Sequence, residues 1–290
     1  MNKYYRERVD ENCINESFVS EARLNKTQHD VILLIYKMTA MNVNQIANAL
    51  GYKVGYIRNT LKYLYDKRFL DRKFLTVPFG TGSGKAVYFL DISGKIYVSG
   101  ALNIKYRDIK WRKSENNIYN IKLEHTLGIS ESMANTSKAI MNTNNIKLEE
   151  WKSEKELGLI KFEFSGVEYF FAPDSFISIS RVENSTKYIY DYFLEYDRKM
   201  SVKEFKNKLS IYELYKKSKK YTSRFEIYPS ILIITESYKK ALKIYEQVKN
   251  KNSENITYYI TDIENFKKDP LKSLPKNGIR TEYINVLKDL

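Results

Sequence analysis

The chain has 290 residues, enough for two domains, and carries 49 basic against 35 acidic residues for a net charge of +14. Hydrophobic residues make up 43% and aromatics 14%, which excludes wholesale disorder; a single cysteine, Cys13, excludes an intramolecular disulfide framework and a cysteine-rich zinc site. Two histidines, His29 and His125, leave little room for His-based metal or nucleophile chemistry. No apolar run approaches the roughly 18 residues of a membrane span, and the charged start MNKYYRERVDENC has no secretory core, so a reducing cytoplasm is the expected setting.

The charge is unevenly placed. Residues 1–24 hold 4 basic and 5 acidic residues, residues 25–113 hold 16 and 5, and residues 114–290 hold 29 and 25. AT-rich codon usage raises lysine throughout, but it does not thin the acids in the middle block alone. A dense positive field on one domain is the footprint of a nucleic-acid binder, and double-stranded DNA is the expected partner ahead of an anionic membrane surface.

In chain order, residues 1–24 read as a polar arm. TQHDVILLIYKMTAM, capped by Thr27, places Val31, Leu34, Ile35 and Met38 on one helical face, and His29 falls in its first turn. VNQIANALG is a short helix capped by Asn42 and ended by Gly51. In YKVGYIRNTLKYLYDKRFL, Ile57, Leu61 and Leu64 form a buried stripe, and Lys53, Tyr56, Arg58, Asn59 and Lys62 occupy the opposite face. Short helix, tight turn and longer basic helix make a helix-turn-helix. FLDRKFLTVP then reads as a strand, GTGSGKA as a glycine-rich tip and VYFLDI as a returning strand, the β-hairpin of a winged helix. The order resembles that of winged-helix DNA-binding domains, which implies that the 53–66 helix enters the major groove and that Lys85, at the wing tip, touches phosphate or minor groove. GTGSGKA is not a nucleotide-binding loop, because Ala86 stands where the metal-binding hydroxyl belongs and a strand comes next instead of a helix. Residues 101–120 are the expected linker, so the winged helix spans 25–112 and the second domain 113–290.

The second domain opens with a helix or broken helix pair over 121–143. LIKFEF, VEYFFAP, DSFISISRV and KYIYDYFLEYDR read as strands. A helix starts at Ser201, boxed by Glu204, and EIYPSILIIT and NITYYIT are strands separated by the helix ESYKKALKIYEQVKN, with DIENFKKDP a short last helix. This order predicts an α+β or α/β domain with a mixed sheet. Asp174 opens one strand after Pro173, and Glu195 and Asp197 end the next, two residues apart and so on one face. Three carboxylates at adjacent strand ends can converge on Mg²⁺ or Mn²⁺, hard cations that take oxygen ligands. This is the layout of the PD-(D/E)xK nucleases, where the metal polarises the scissile phosphate and activates water. The motif lysine slot holds Asp197, and Lys208 on the next helix can replace it, with Glu124 or Glu131 as an extra acid. A charged strand end with local ion pairs is the competing reading of the same residues.

The whole arrangement resembles the replication-relaxation family of plasmids and other mobile elements. The likeness runs over about 25–272, through the winged helix, LEHTLGISE, Trp151 and Glu154 in EEWKSEKEL, APDSF, DYFLEYDRKM, KLSIYELY, ILIITESYKKALKIY and TDIENFKKDPL; FLEYDR after the Pro-Asp strand is its most specific part. The resemblance implies a role in plasmid replication or in DNA relaxation and mobilisation, and a restriction-endonuclease-like core. Two functions arise as expectations: a DNA-binding protein that nicks with a divalent metal, with other replication or mobilisation proteins as partners, or a non-catalytic winged-helix transcriptional regulator that recognises an operator and whose second domain serves dimerisation or partner binding. A phosphotyrosine relaxase is excluded, because its His-hydrophobic-His strand cannot be made from His29 and His125.

Overall fold

In the computed structural model, the residues described are 8–75, 84–118, 120–197, 202–249, 253–274 and 284–286. The chain forms two compact units, Met1–Ala134 and Asn135–Leu290, of mixed α+β architecture.

The first unit begins with α1 (Glu16–Glu21) and α2 (Lys26–Met38). Asn25, rather than Thr27, caps α2 in a capping box with Gln28; Thr27 is buried and its Oγ1 accepts from the Tyr56 hydroxyl at 3.3 Å. His29 is held by the Tyr97 hydroxyl, 2.8 Å from its Nδ1. β1 (Met41–Asn42) leads into α3 (Val43–Leu50), which Asn42 caps in a second box with Gln45. Gly51 ends α3 in the left-handed region at φ 73°, a conformation that costs glycine nothing. α4 (Val54–Asp66) buries Ile57, Leu61 and Leu64, the stripe read from the sequence. β2 (Leu70–Phe74) and β3 (Ala86–Leu90) form a hairpin, and β3 lies between β2 and β1 in an antiparallel sheet of three.

α5 (Ile92–Leu102) is not foreshadowed by the sequence pattern. Its two glycines, Gly94 and Gly100, depress helix propensity. A Cβ at Gly94 would stand 2.2 Å from the Phe69 carbonyl oxygen, so close approach to the start of β2 requires glycine there. The expected linker, residues 101–120, is packed against the same unit up to Ile118: Ile109 and Trp111 are buried, Trp111 Nε1 donates to Asn116 Oδ1 at 3.2 Å, and Asn116 Nδ2 donates to the Leu90 carbonyl at 2.9 Å.

The arm is also built in. Asp91 is 1% exposed, and burial pushes its carboxyl pKa up. Arg8 meets it: Nη2 donates to Asp91 Oδ2 at 2.6 Å and to Asp71 Oδ1 at 3.2 Å, Nε donates to the Tyr65 carbonyl, and the guanidinium lies 4.1 Å over the Tyr65 ring. Arg68 stands 3.5 Å from Asp91 and donates to the Val9 carbonyl at 2.5 Å.

α6 (Asn120–Met141) carries the chain into the second unit. After it come β4 (Ile146–Ser153), α7 (Glu154–Leu157), β5 (Ile160–Phe164), β6 (Val167–Phe171), β7 (Ser175–Glu183), β8 (Thr186–Asp197), α8 (Val202–Lys217), β9 (Ser230–Thr235), α9 (Tyr238–Lys249), β10 (Tyr258–Asp262), α10 (Ile263–Lys268) and β11 (Ile284–Val286). The main sheet has the order β11-β10-β9-β8-β7-β4; β8 to β11 are parallel, and β7 and β4 are antiparallel additions. Among the described residues, β5 and β6 pair only with each other. Phe162 and Phe171 pack on Tyr215 of α8, in a core that also holds Phe193, Leu209, Tyr212, Ile231, Ile233 and Ile244. The expected cap at Ser201 lies outside the described residues. No helix among those described is long and apolar enough to cross a membrane.

Replacing Arg8 by alanine leaves buried Asp91 with Arg68 at longer range. The expected loss is about 2 kcal/mol of unfolding free energy, measurable by urea denaturation; an unchanged midpoint would show that Arg8 does not tie the arm to the fold.

Candidate nucleic-acid interface and acidic cluster

Helical geometry sorts α4 into two faces. With Ile57, Leu61 and Leu64 turned inward, Lys53, Tyr56, Arg58, Asn59 and Lys62 are all exposed. The Tyr56 ring stands 5.5 Å from that of Tyr52, so the start of the helix carries an aromatic pair beside its cations. Lys53 is the N-cap residue and makes no side-chain cap, and the first turn of α4 holds no acid. A cation at the positive end of a helix dipole is unfavourable by itself, so the charge at this end favours an approaching anion. Among the described residues, Lys53, Arg58 and Lys62 enter no ion pair. Lys85 is exposed at the foot of the hairpin, where its carbonyl accepts from the Leu75 N–H at 3.0 Å. The tip at 76–83 lies outside the described residues. A Cβ at Gly84 would fall 1.7 Å from the Leu75 carbonyl oxygen, so the strand can leave the tip this closely only with glycine there.

The acidic residues sit on the second unit. Antiparallel pairing of β7 with β8 sets Ser175 opposite Leu194, which brings Asp174 beside Glu195. The Asp174 N–H donates to the Leu194 carbonyl at 3.1 Å, and Asp174 Oδ2 accepts the Tyr196 N–H at 2.7 Å. Strand alternation puts Phe193, Glu195 and Asp197 on the face covered by α8 and α9. There Glu195 is buried. One carboxylate oxygen is bonded by Lys208 Nζ and the other by the Tyr212 hydroxyl, both from α8. Asp197 is buried too, with its Oδ1 and Oδ2 each 3.2 Å from Lys240 Nζ of α9.

Three of the four expected catalytic side chains, Asp174, Glu195 and Lys208, are therefore neighbours, and Asp197 stands one pleat further on with a lysine of its own. Lys240 and Tyr212 were not anticipated. Tyr212 comes one helical turn after Lys208 and shares its face, a spacing visible in the sequence; Lys240 carries no comparable signal. Glu124 and Glu131 lie on the α6 segment of the first unit.

Burial pushes the Glu195 carboxyl up to about 7; Lys208 opposes this and the nearby Asp174 carboxylate adds to it. Burial also works to lower the Lys208 ammonium, but the charges of Glu195 and Asp174 outweigh it and raise its pKa. Burial likewise lifts the Tyr212 hydroxyl well above its ordinary value. A divalent cation needs several open carboxylate oxygens. Here lysines occupy the cation positions on Glu195 and Asp197, and no three acidic, histidine or cysteine side chains among the described residues are placed to hold a metal. The donor set as arranged does not fit Mg²⁺ or Mn²⁺.

A family model described as replication-relaxation matches residues 33–231, a span that includes α4, the β7–β8 hairpin and α8. No curated protein and no solved structure matches the chain.

The Glu195 shift sets a pH dependence. Its folded-state pKa lies above the unfolded value, so the native state binds the extra proton, and the associated stability is present below about pH 4.5 and is lost as pH rises toward 7. Relative to Glu195→Gln, the wild type should lose on the order of 2 kcal/mol between pH 4.5 and 7.5 in urea titrations. A difference that stays flat across this range would mean that Glu195 is ionised throughout.

Proposed function

Because the chain belongs to the replication-relaxation family, we propose that it acts in the replication or mobilisation of plasmid or other mobile-element DNA, as a duplex-binding protein whose second unit docks a partner or a second copy and does not cut. The observation that carries the binding half is the exposed face of α4. Lys53, Tyr56, Arg58, Asn59 and Lys62 lie there in solvent, in a block where basic residues outnumber acidic ones 16 to 5. In a winged-helix reading, α4 lies in the major groove: Arg58 and Asn59 are suited to base edges, and Lys53, Lys62 and Lys85 to phosphates. Steering comes from the net charge of the block, and base contacts supply discrimination.

The non-catalytic half rests on Glu195 and Asp197 each being taken up by a lysine. The nearness of Asp174, Glu195 and Lys208 is what favours the second reading, metal-dependent nicking with Asp197 as a further ligand, and one assay separates the two. Purified protein should shift a duplex carrying its site, with affinity falling steeply as salt rises, and should leave supercoiled plasmid intact in Mg²⁺ or Mn²⁺. Arg58→Ala should cost about tenfold or more in specific binding, whereas Lys85→Ala should weaken all sequences evenly. Salt-insensitive binding would overturn the interface, and nicking that Asp174→Ala abolishes would overturn the non-cutting role.

A further inference from the structure

Beyond α4, the first unit carries a second basic surface. Residues 95–113 hold Lys95, Lys105, Arg107, Lys110, Arg112 and Lys113 against one acid, Asp108. Every residue from 101 to 108 is exposed, including Leu102, Ile104 and Tyr106, and Tyr106 is 47% exposed. Three large apolar side chains within five residues therefore face water.

This stretch is fixed in place. Asn103 ends α5 in the left-handed region, the Ile104 N–H donates to the Ser99 carbonyl at 3.0 Å and the Ser99 hydroxyl returns a bond to the Ile104 carbonyl at 2.7 Å. A 3₁₀ turn closes over Tyr106–Asp108, and buried Ile109 and Trp111 anchor its C-terminal side. Lys95 Nζ lies over the Tyr106 ring, 4.2 Å from its centre, which positions the ring and sets a cation against one of its two faces. The result is a ridge of exposed aromatic and aliphatic groups interleaved with cations, held by its own hydrogen bonds and by buried anchors.

We propose that this ridge holds single-stranded DNA, with unpaired bases resting on Tyr106 and its aliphatic neighbours Leu102 and Ile104, and the backbone phosphates meeting Lys95, Lys105 and Arg107. The choice of single strand over duplex comes from the apolar side chains. The outside of a duplex offers phosphate and sugar, which cations alone can meet; unpaired bases offer apolar faces that stack on an aromatic ring and need that surface covered. The ridge rests on the DNA-binding reading of the first unit and adds a second strand state to it: one surface for the paired site and another for strands that have come apart.

The test uses the full chain and fluorescence anisotropy with a labelled oligo-dT strand and, separately, a labelled duplex. Tyr106→Ala should weaken single-strand binding about tenfold, within the range for losing one stacked base, and change duplex binding less than about twofold. Tyr106→Phe should retain single-strand affinity, and Arg58→Ala should do the reverse of Tyr106→Ala. If the wild type binds duplex but not oligo-dT, or if single-strand affinity falls with Lys105→Ala and Arg107→Ala yet ignores Tyr106→Ala, the ridge is no base platform while the duplex interface stands. Binding to neither probe would sink the DNA-binding reading itself.

Discussion

A carboxylate taken out of water must be met by a cation or take up a proton. Both units are organised around that constraint. In the first, Asp91 sits at the junction of β3 and α5, and its cations come from the far N-terminus, Arg8, and from the end of α4, Arg68. In the second, Glu195 and Asp197 end the strand that joins the antiparallel and parallel halves of the sheet, and Lys208 and Lys240 reach them from α8 and α9. In each case the ion pair ties a helix or an arm to a strand end, so local geometry there depends on electrostatics as much as on apolar packing.

The pairing also sorts the cations by task. Arg8, Arg68, Lys208 and Lys240 are committed to internal acids, whereas Lys53, Arg58 and Lys62 stay on the solvent face of α4 with no ion pair among the described residues. The net charge of the chain therefore understates the contrast between its regions. A surface whose cations are unpaired has the reach to meet phosphate, and one whose lysines are locked onto buried carboxylates does not. The same distinction separates the cluster around Glu195 from an open metal site of similar composition.

Much of this was legible in the sequence where one short segment decides the outcome. The α4 stripe at Ile57, Leu61 and Leu64, the cap at Asn42 and the stop at Gly51 come from periodicity and local chemistry, and they place the exposed face correctly. The hairpin that joins Asp174 to Glu195 is likewise local. α5 was hidden because its glycines lower helix propensity, and the reason for Gly94 lies in a carbonyl of residue 69. β4 was hidden because LEEWKS alternates poorly, and the structure accommodates this with a bulge between Leu148 and Glu150. Lys240 and Arg8 were hidden for a different reason: their partners lie 43 and 83 positions away, and no spacing rule connects them.

The Arg8 contact has a practical consequence for anyone who isolates the first unit. The natural place to cut, just before the Asn25 cap of α2, severs Asp91 from its nearest cation, and a stop at residue 112 removes the Asn116 that braces Trp111 and the Lys113 that pairs with Glu11. A fragment trimmed to the tidy helical core would be an unbraced version of the unit. Its poor behaviour in solution would reflect the missing flanks and would say nothing about the affinity of the intact surface.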